Sequence, residues 1–127
     1  MKLYRQNRAL SVVDLGECDE MRALAELKST YEAALQSYGS GEEALEKTGF
    51  GLSRTDEDFL EACCNGRESV VFHSDRLVFG SKFTRFFCVK QHYRILVDRA
   101  KAEQVIRDYF RMPRETFEAA YQAFATR

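Results

Sequence analysis

The apolar residues of this chain follow a helical spacing at both ends and a strand-like pattern in the middle. Between Met21 and Tyr38 they recur every three or four positions, which places them on one face of a helix. Residues 69–98 are rich in β-branched and aromatic side chains, a composition typical of strands. Helical spacing returns at 99–111 and 114–125. This order predicts an α+β fold, because the flanking helices can bury their apolar faces on one sheet.

The N-terminal half is predicted to be mainly helical. Asp19 is a suitable N-cap for the helix that carries the apolar face from Met21 onward. Residues 40–43 (SGEE) form a capping-box signature, which predicts a short second helix ending at Gly49. Thr55 precedes three consecutive acids, and this pattern predicts another helix start because acids stabilise the positive end of the helix dipole. Residues 3–15 fit either a strand or a short helix.

The centre is predicted to be an antiparallel meander of three or four strands. Two strands are expected at 69–73 and 76–79, joined by a tight turn at Ser74-Asp75. Two more are expected at 84–90 and 93–98. The segment from Lys82 to Gln91 also fits a helix, so this part of the pattern leaves two alternatives open. The preceding segment, Gly49-Phe50-Gly51, is interpreted as a flexible connector.

The C-terminal part is predicted to form an αα-hairpin that packs on the sheet. Asp98 can cap the first of its helices, and Pro113, the one proline of the chain, can open the second at its first position. A helical connection this short is typical of two antiparallel neighbours. We therefore expect a single α+β domain over residues 1–127, with N-terminal helices, a central antiparallel sheet and this hairpin.

The composition indicates a cytoplasmic protein without a membrane contact. No stretch approaches 18 consecutive apolar residues, and the first ten residues lack the apolar region of a secretion signal.

The four cysteines are expected to be free thiols in the cytoplasm. They are Cys18, Cys63, Cys64 and Cys88. No metal or other cofactor is expected, since two adjacent cysteines and one Cys88–His92 spacing do not match the paired ligands of a structural zinc site.

Charge is unevenly distributed along the chain. Residues 1–64 carry a net charge of −6, residues 65–127 carry +5, and no acid occurs from Arg76 to Val97. Within that stretch, residues 82–94 (KFTRFFCVKQHYR) mix aromatic and cationic side chains, which favours a face that binds a charged partner. The candidate contact residues of this basic face are Arg76, Lys82, Arg85, Phe87, Lys90, His92 and Arg94. Those of an acidic face are Glu42, Glu43, Glu46, Asp56, Glu57 and Asp58.

No motif supports catalysis, so the sequence predicts a protein that is not an enzyme. Glycine-rich nucleotide-binding motifs are absent, and His73-Ser74-Asp75 are chain neighbours that cannot assemble as a triad. We predict a non-catalytic factor that binds a protein partner stoichiometrically, as an inhibitor, an immunity-type antidote or an anti-defence factor. A homodimer is compatible with the same pattern.

Two other functions stay open at this point. A nucleic-acid-binding regulator could use the strip at 76–97, because aromatic rings stack on bases and cations contact phosphates. A small cysteine-dependent enzyme would need a Cys–His pair. That pair would join Cys63 or Cys88 to His73 or His92.

Overall fold

The computed structural model describes residues 1–6, 12–37, 49–64, 69–79 and 88–126. The strands are β1 (Lys2–Gln6), β2 (Val12–Glu17), β3 (Gly49–Ser53), β4 (Phe59–Cys64), β5 (Ser69–Phe79), β6 (Cys88–Asp98) and β7 (Ala125–Thr126). The helices are α1 (Glu20–Ser37), α2 (Arg99–Arg111) and α3 (Arg114–Ala120), and a 3-10 turn follows at Gln122–Phe124. The helix predicted from residue 40 onward lies outside the described residues.

The described strands form one antiparallel sheet in the order β2-β1-β3-β4-β5-β6-β7. The β1–β2 hairpin is followed by α1, and the chain then returns to pair β3 with the other edge of β1. Strands β3 to β6 pair in sequence as a meander, and β7 adds to β6. The α+β class and the antiparallel sheet are therefore confirmed, although the described part holds seven strands rather than three or four.

The described helices cover one face of the sheet. Strand β4 shows the pattern: Leu60, Ala62 and Cys64 are buried, whereas Phe59 and Glu61 on the other side are half-buried. This alternation of buried and half-buried side chains arises because successive residues of a strand point to opposite faces of the sheet. Helix α1 packs on β3 and β4, and α2 packs on β5, β6 and α1. We call the side opposite these helices the outer face.

The first helix is confirmed where its cap predicted it. The Asp19 carboxylate accepts a hydrogen bond from the Arg22 backbone N–H at 2.8 Å, which satisfies one of the unpaired donors of the first turn. The buried residues Ala23, Leu27 and Ala34 then face the sheet with helical spacing.

The helix predicted from Thr55 is wrong. Residues 54–58 form the loop between β3 and β4, and the segment that follows is a strand. The Thr55 hydroxyl does act as a cap, but it accepts the backbone N–H of Glu57 at 3.3 Å and of Asp58 at 3.1 Å within a turn. Pairing with β3 and β5 overrides the weak helical spacing of Phe59–Cys64. The supposed connector at Gly49-Phe50-Gly51 belongs to β3.

The predicted turn at Ser74-Asp75 is also wrong. Strand β5 continues through both residues, and Ser74 pairs with Tyr93 while Asp75 pairs with His92. Neither residue is a glycine, and the favoured two-residue turns need at least one residue with positive φ. The 84–90 and 93–98 strands likewise merge into one, since β6 is continuous over Cys88–Asp98; residues 84–87 lie outside the described part.

The C-terminal αα-hairpin is confirmed. The Asp98 carboxylate accepts from the Lys101 backbone N–H at 2.8 Å, and α2 buries Ala102, Val105, Ile106 and Tyr109. Pro113 is the N-cap residue of α3 rather than its first helical residue. Because α3 ends at Ala120, the chain turns away before Phe124.

Candidate functional site

The predicted basic face is only partly visible in the structure. Lys82, Arg85 and Phe87 lie outside the described residues. Arg76, in β5, and Lys90 and His92, in β6, have a described backbone position without a described side chain. Arg94 is exposed, and it pairs with His73 of β5 in the sheet register.

The predicted acidic face is divided in the same way. Glu42, Glu43 and Glu46 lie outside the described residues. Asp56 and Glu57 are exposed in the loop at 54–58, whereas Asp58 is half-buried. The Asp58 carboxylate accepts from the Tyr109 hydroxyl at 2.9 Å and pairs with Arg114 at 3.2 Å, so it anchors the loop to the helical hairpin.

The β5–β6 ladder extends beyond the rest of the described sheet. Strand β4 pairs with β5 only as far as His73, and β7 pairs with β6 at Arg94 and Ile95. Six further β5–β6 pairs run from Ser74 with Tyr93 to Phe79 with Cys88, and no third described strand joins them. We call this two-stranded part, residues 74–79 and 88–93, the ribbon.

A row of polar side chains spans four neighbouring strands of the outer face, β1, β3, β4 and β5, next to the ribbon. The Tyr4 ring, from β1, lies over Gly51 of β3; a Cβ at Gly51 would be 2.1 Å from the Tyr4 Cζ atom. Its hydroxyl donates to Glu61 Oε1 of β4 at 2.8 Å. The other Glu61 oxygen lies 3.4 Å from His73 Nε2 of β5. Burial and the Glu61 carboxylate raise the pKa of Tyr4 well above its usual range, so this hydroxyl stays a donor.

The same row contains a Cys–His pair, one of those left open by the sequence. Cys63 Sγ lies 3.9 Å from His73 Nε2. This nitrogen also faces Glu61, whereas a catalytic histidine uses one nitrogen toward the nucleophile and the other toward its orienting group. Desolvation around the sulphur, followed by the Glu61 charge, raises the pKa of Cys63. A raised pKa lowers the thiolate fraction of Cys63, whereas nucleophilic cysteines have a lowered pKa.

The described thiols should alkylate slowly. Burial raises the pKa of Cys18, and burial together with Cys63 raises the pKa of Cys64 to about 11. In a Cys88→Ser variant, we expect all three described thiols to react with iodoacetamide at pH 7.5 more slowly than glutathione does, because a raised pKa lowers the thiolate fraction. Rates measured by mass spectrometry should increase as the pH approaches each thiol pKa. A thiol that reacts faster than glutathione would support the cysteine-enzyme alternative instead.

A cavity of about 330 Å³ lies beside the row of Tyr4 and Glu61. Its walls come from β1, β2, β3, β4 and the loop at 54–58. The lining residues are Lys2, Tyr4, Asp14, Ser53, Asp56, Phe59 and Glu61. Its volume is near the lower end of the range of small-ligand sites, roughly 300–1,000 Å³.

Most of this cavity escaped the sequence analysis. Asp56 was a candidate, but Tyr4 and Glu61 lie 57 positions apart in the chain and meet only through the register of three strands. The one local signal was Gly51. A glycine inside a strand often marks a close approach of another group, but this signal could not be interpreted while the segment was taken as a connector.

Within the described ranges, no group of three His, Cys, Asp or Glu side chains is placed to hold a metal ion. Among the described helices, none is long and apolar enough to span a membrane. Comparison of the chain with protein-family models, curated proteins and solved structures found no match.

Proposed function

We propose that this chain is a non-catalytic, cytoplasmic factor that binds a protein partner stoichiometrically, as an inhibitor, antidote or anti-defence factor would. The ribbon is its main contact element, and the adjacent outer face around His73 and Arg94 extends the contact. The observation that carries the proposal is the six-pair extension of the β5–β6 ladder beyond its described neighbours.

The ribbon has the properties of a docking element. A two-stranded hairpin is marginally stable by itself in water, so an extended one gains stability from a partner. Within the described part of the chain no strand pairs with the ribbon's outer edges, whose backbone N–H and C=O groups can pair with an added strand. Six of its twelve residues are apolar or aromatic: Leu77, Val78, Phe79, Cys88, Val89 and Tyr93. Residues of this type form the centre of protein interfaces.

The charge of the ribbon favours a protein over a nucleic acid. Arg76 and Lys90 are its two formal cations, and Asp75 is an acid. Nucleic-acid affinity comes largely from several cations that each neutralise a phosphate. The described ribbon residues have one surplus positive charge, which is fewer than that binding mode uses, and Lys82 and Arg85 lie outside the described residues. A composition that mixes apolar, aromatic and a few charged residues instead suits a protein partner with a complementary patch.

The proposal is tested by capture followed by affinity measurement. The tagged full-length protein is incubated with extract of its native host after nuclease treatment, at low and high salt. We expect one protein to be retained in near-equimolar amount at both salt concentrations. The purified complex then allows titration of a Lys90→Glu/Arg94→Glu variant, for which we expect a loss of affinity of about tenfold or more, as for interface hot spots.

The matched control is a Lys28→Glu/Arg107→Glu variant. It makes the same charge change on helices α1 and α2, and it should bind within about twofold of the parent because exposed charges outside an interface contribute little. Equal losses in both variants would show a non-specific charge effect and contradict the ribbon as the contact element. Recovery of nucleic acid that is released at high salt would favour the nucleic-acid alternative. A protein that captures only its own copies would replace the proposal with self-association.

A further inference from the structure

We infer that the outer-face cavity receives a basic side chain, a lysine or an arginine, from the protein partner. This inference rests on the proposed function and names the chemistry of one contact within it. Three features of the cavity support it: its charge, its aromatic walls and its position relative to the ribbon.

The cavity has a surplus of negative charge. Among its described lining residues, three carry carboxylates, Asp14, Asp56 and Glu61, and one, Lys2, carries an ammonium. Asp14 is fixed by a hydrogen bond from the Gly16 backbone N–H at 2.7 Å. Glu61 is fixed by the Tyr4 hydroxyl on one oxygen. Two of the three acceptors are thus held in place before a ligand arrives, which lowers the ordering cost of binding.

The cavity also has aromatic walls. Tyr4 and Phe59 are half-buried and line it from β1 and β4. A cation over an aromatic face is stabilised by the ring quadrupole, and the methylene groups of lysine or arginine pack on the same rings. The Tyr4 wall depends on Gly51, because any side chain there would occupy the space of the ring. Carboxylates beside aromatic rings distinguish this cavity from a simple acidic surface.

The position of the cavity suits a partner that docks on the ribbon. In the sheet register Glu61 of β4 lies opposite His73 of β5, and His73 lies opposite Arg94 of β6. At this level the described sheet narrows to the ribbon. Adjacent strands lie about 4.8 Å apart, so Glu61 is roughly 10 Å across the sheet from Arg94. A partner seated on the ribbon and the outer face can therefore place one of its basic residues in the cavity.

The inference is tested first with small probes, independently of any partner. ¹⁵N-labelled full-length protein is titrated with Nα-acetyl-lysine methylamide, with the arginine equivalent, and with the neutral norleucine equivalent. We expect the amide signals of Tyr4, Ser53 and Phe59 to shift with at least one cationic probe. Because one side chain offers little contact area, we expect a Kd of about 1–10 mM. Norleucine should produce no saturable shift.

Neighbouring acids provide a matched pair of variants. Asp56→Asn removes a charge from the cavity, whereas Glu57→Gln removes one from the next position of the same loop, outside the cavity lining. We expect Asp56→Asn to weaken the cationic probe about threefold or more, and Glu57→Gln to leave it nearly unchanged. Absence of saturable binding, equal binding of norleucine, or equal effects of the two variants would overturn the inference.

The captured partner provides the second readout. An Asp56→Asn/Glu61→Gln variant should bind the partner at least about tenfold more weakly, and a lysine- or arginine-to-glutamine change in the partner should reproduce this loss. If the probes bind but this variant keeps full partner affinity, the inference is wrong while the proposed function stands. If the Lys90→Glu/Arg94→Glu variant also keeps full affinity, the proposed function fails as well.

Discussion

Replacing Phe117 by alanine should lower the free energy of unfolding by about 3–5 kcal/mol, the cost typical of removing a buried aromatic ring. The Phe117 side chain is fully buried in α3. Its ring centre lies 5.3 Å from that of Tyr109 in an edge-on arrangement and 5.1 Å from that of Tyr121. The substitution removes both ring contacts and leaves a cavity beside Tyr109 and Tyr121. Urea denaturation followed by circular dichroism gives the change directly.

Phe124 provides the matched control for this substitution. It belongs to the same sequence ladder as Phe117, but it is 41% exposed and its ring centre lies 6.2 Å from that of Tyr121. Phe124→Ala should therefore cost only about 1–2 kcal/mol, since a large part of the Phe124 side chain remains exposed to water in the folded state. If the two variants lose similar stability, the burial of Phe117 described here is incorrect.

These two phenylalanines show how far the sequence can predict the fold. The spacing of Phe117, Tyr121 and Phe124 predicts one continuous helical face. The structure keeps the first two in the core and exposes the third, because α3 ends at Ala120 and a 3-10 turn leads into β7. Periodicity identifies which residues could share a face. Where the helix ends depends on the pairing of β7 with β6, a tertiary contact that no local pattern contains.

The long capped helices were predictable, whereas the short strands were not. Asp19 and Asp98 mark helices of 18 and 13 residues, and in both cases cap and periodicity agree. Thr55 gives the same type of signal, but serine and threonine hydroxyls also cap turns, as Thr55 does here. The five-residue β3 and six-residue β4 that flank it are too short for periodicity to decide.

The candidate site was less predictable than the fold, for a related reason. Strand register brings Tyr4, Gly51 and Glu61 together, and register depends on the whole sheet rather than on any segment. Sequence reasoning found Asp56 and Arg94 because a charge is visible without a fold. It could not relate the positions of Asp56 and Arg94 to each other, and it could not identify the cavity that Asp56 lines together with β1.

Replacing Arg114 by alanine should lower the free energy of unfolding by about 2–4 kcal/mol, because it leaves two half-buried carboxylates without their charged partner. The Arg114 side chain is 9% exposed. Its Nε donates to Glu118 at 2.8 Å, and its Nη1 donates to Asp58 at 3.2 Å and to the Phe59 carbonyl at 3.0 Å. Burial opposes the charge of this guanidinium, but Glu118, Tyr109 and Asp58 together outweigh it, and the pKa of Arg114 is raised overall. The side chain therefore remains charged at any working pH.

Arg107→Ala is the control, because Arg107 also pairs with an acid but is not buried. Arg107 also faces an acid four residues away on its helix, Glu103 at 3.8 Å, but both side chains are exposed, at 39% and 49%. Its loss should cost about 0.5 kcal/mol or less, the value of an exposed i, i+4 pair.

The difference between Arg114 and Arg107 also bears on the binding surface. Arg114 ties α3 to the loop at 54–58 and to the start of β4, which supply Asp56 and Phe59 to the cavity. Arg114→Ala should thus shift the amide signals of Asp56 and Phe59 while Arg107→Ala leaves them in place, and equal spectra for the two variants would contradict this coupling.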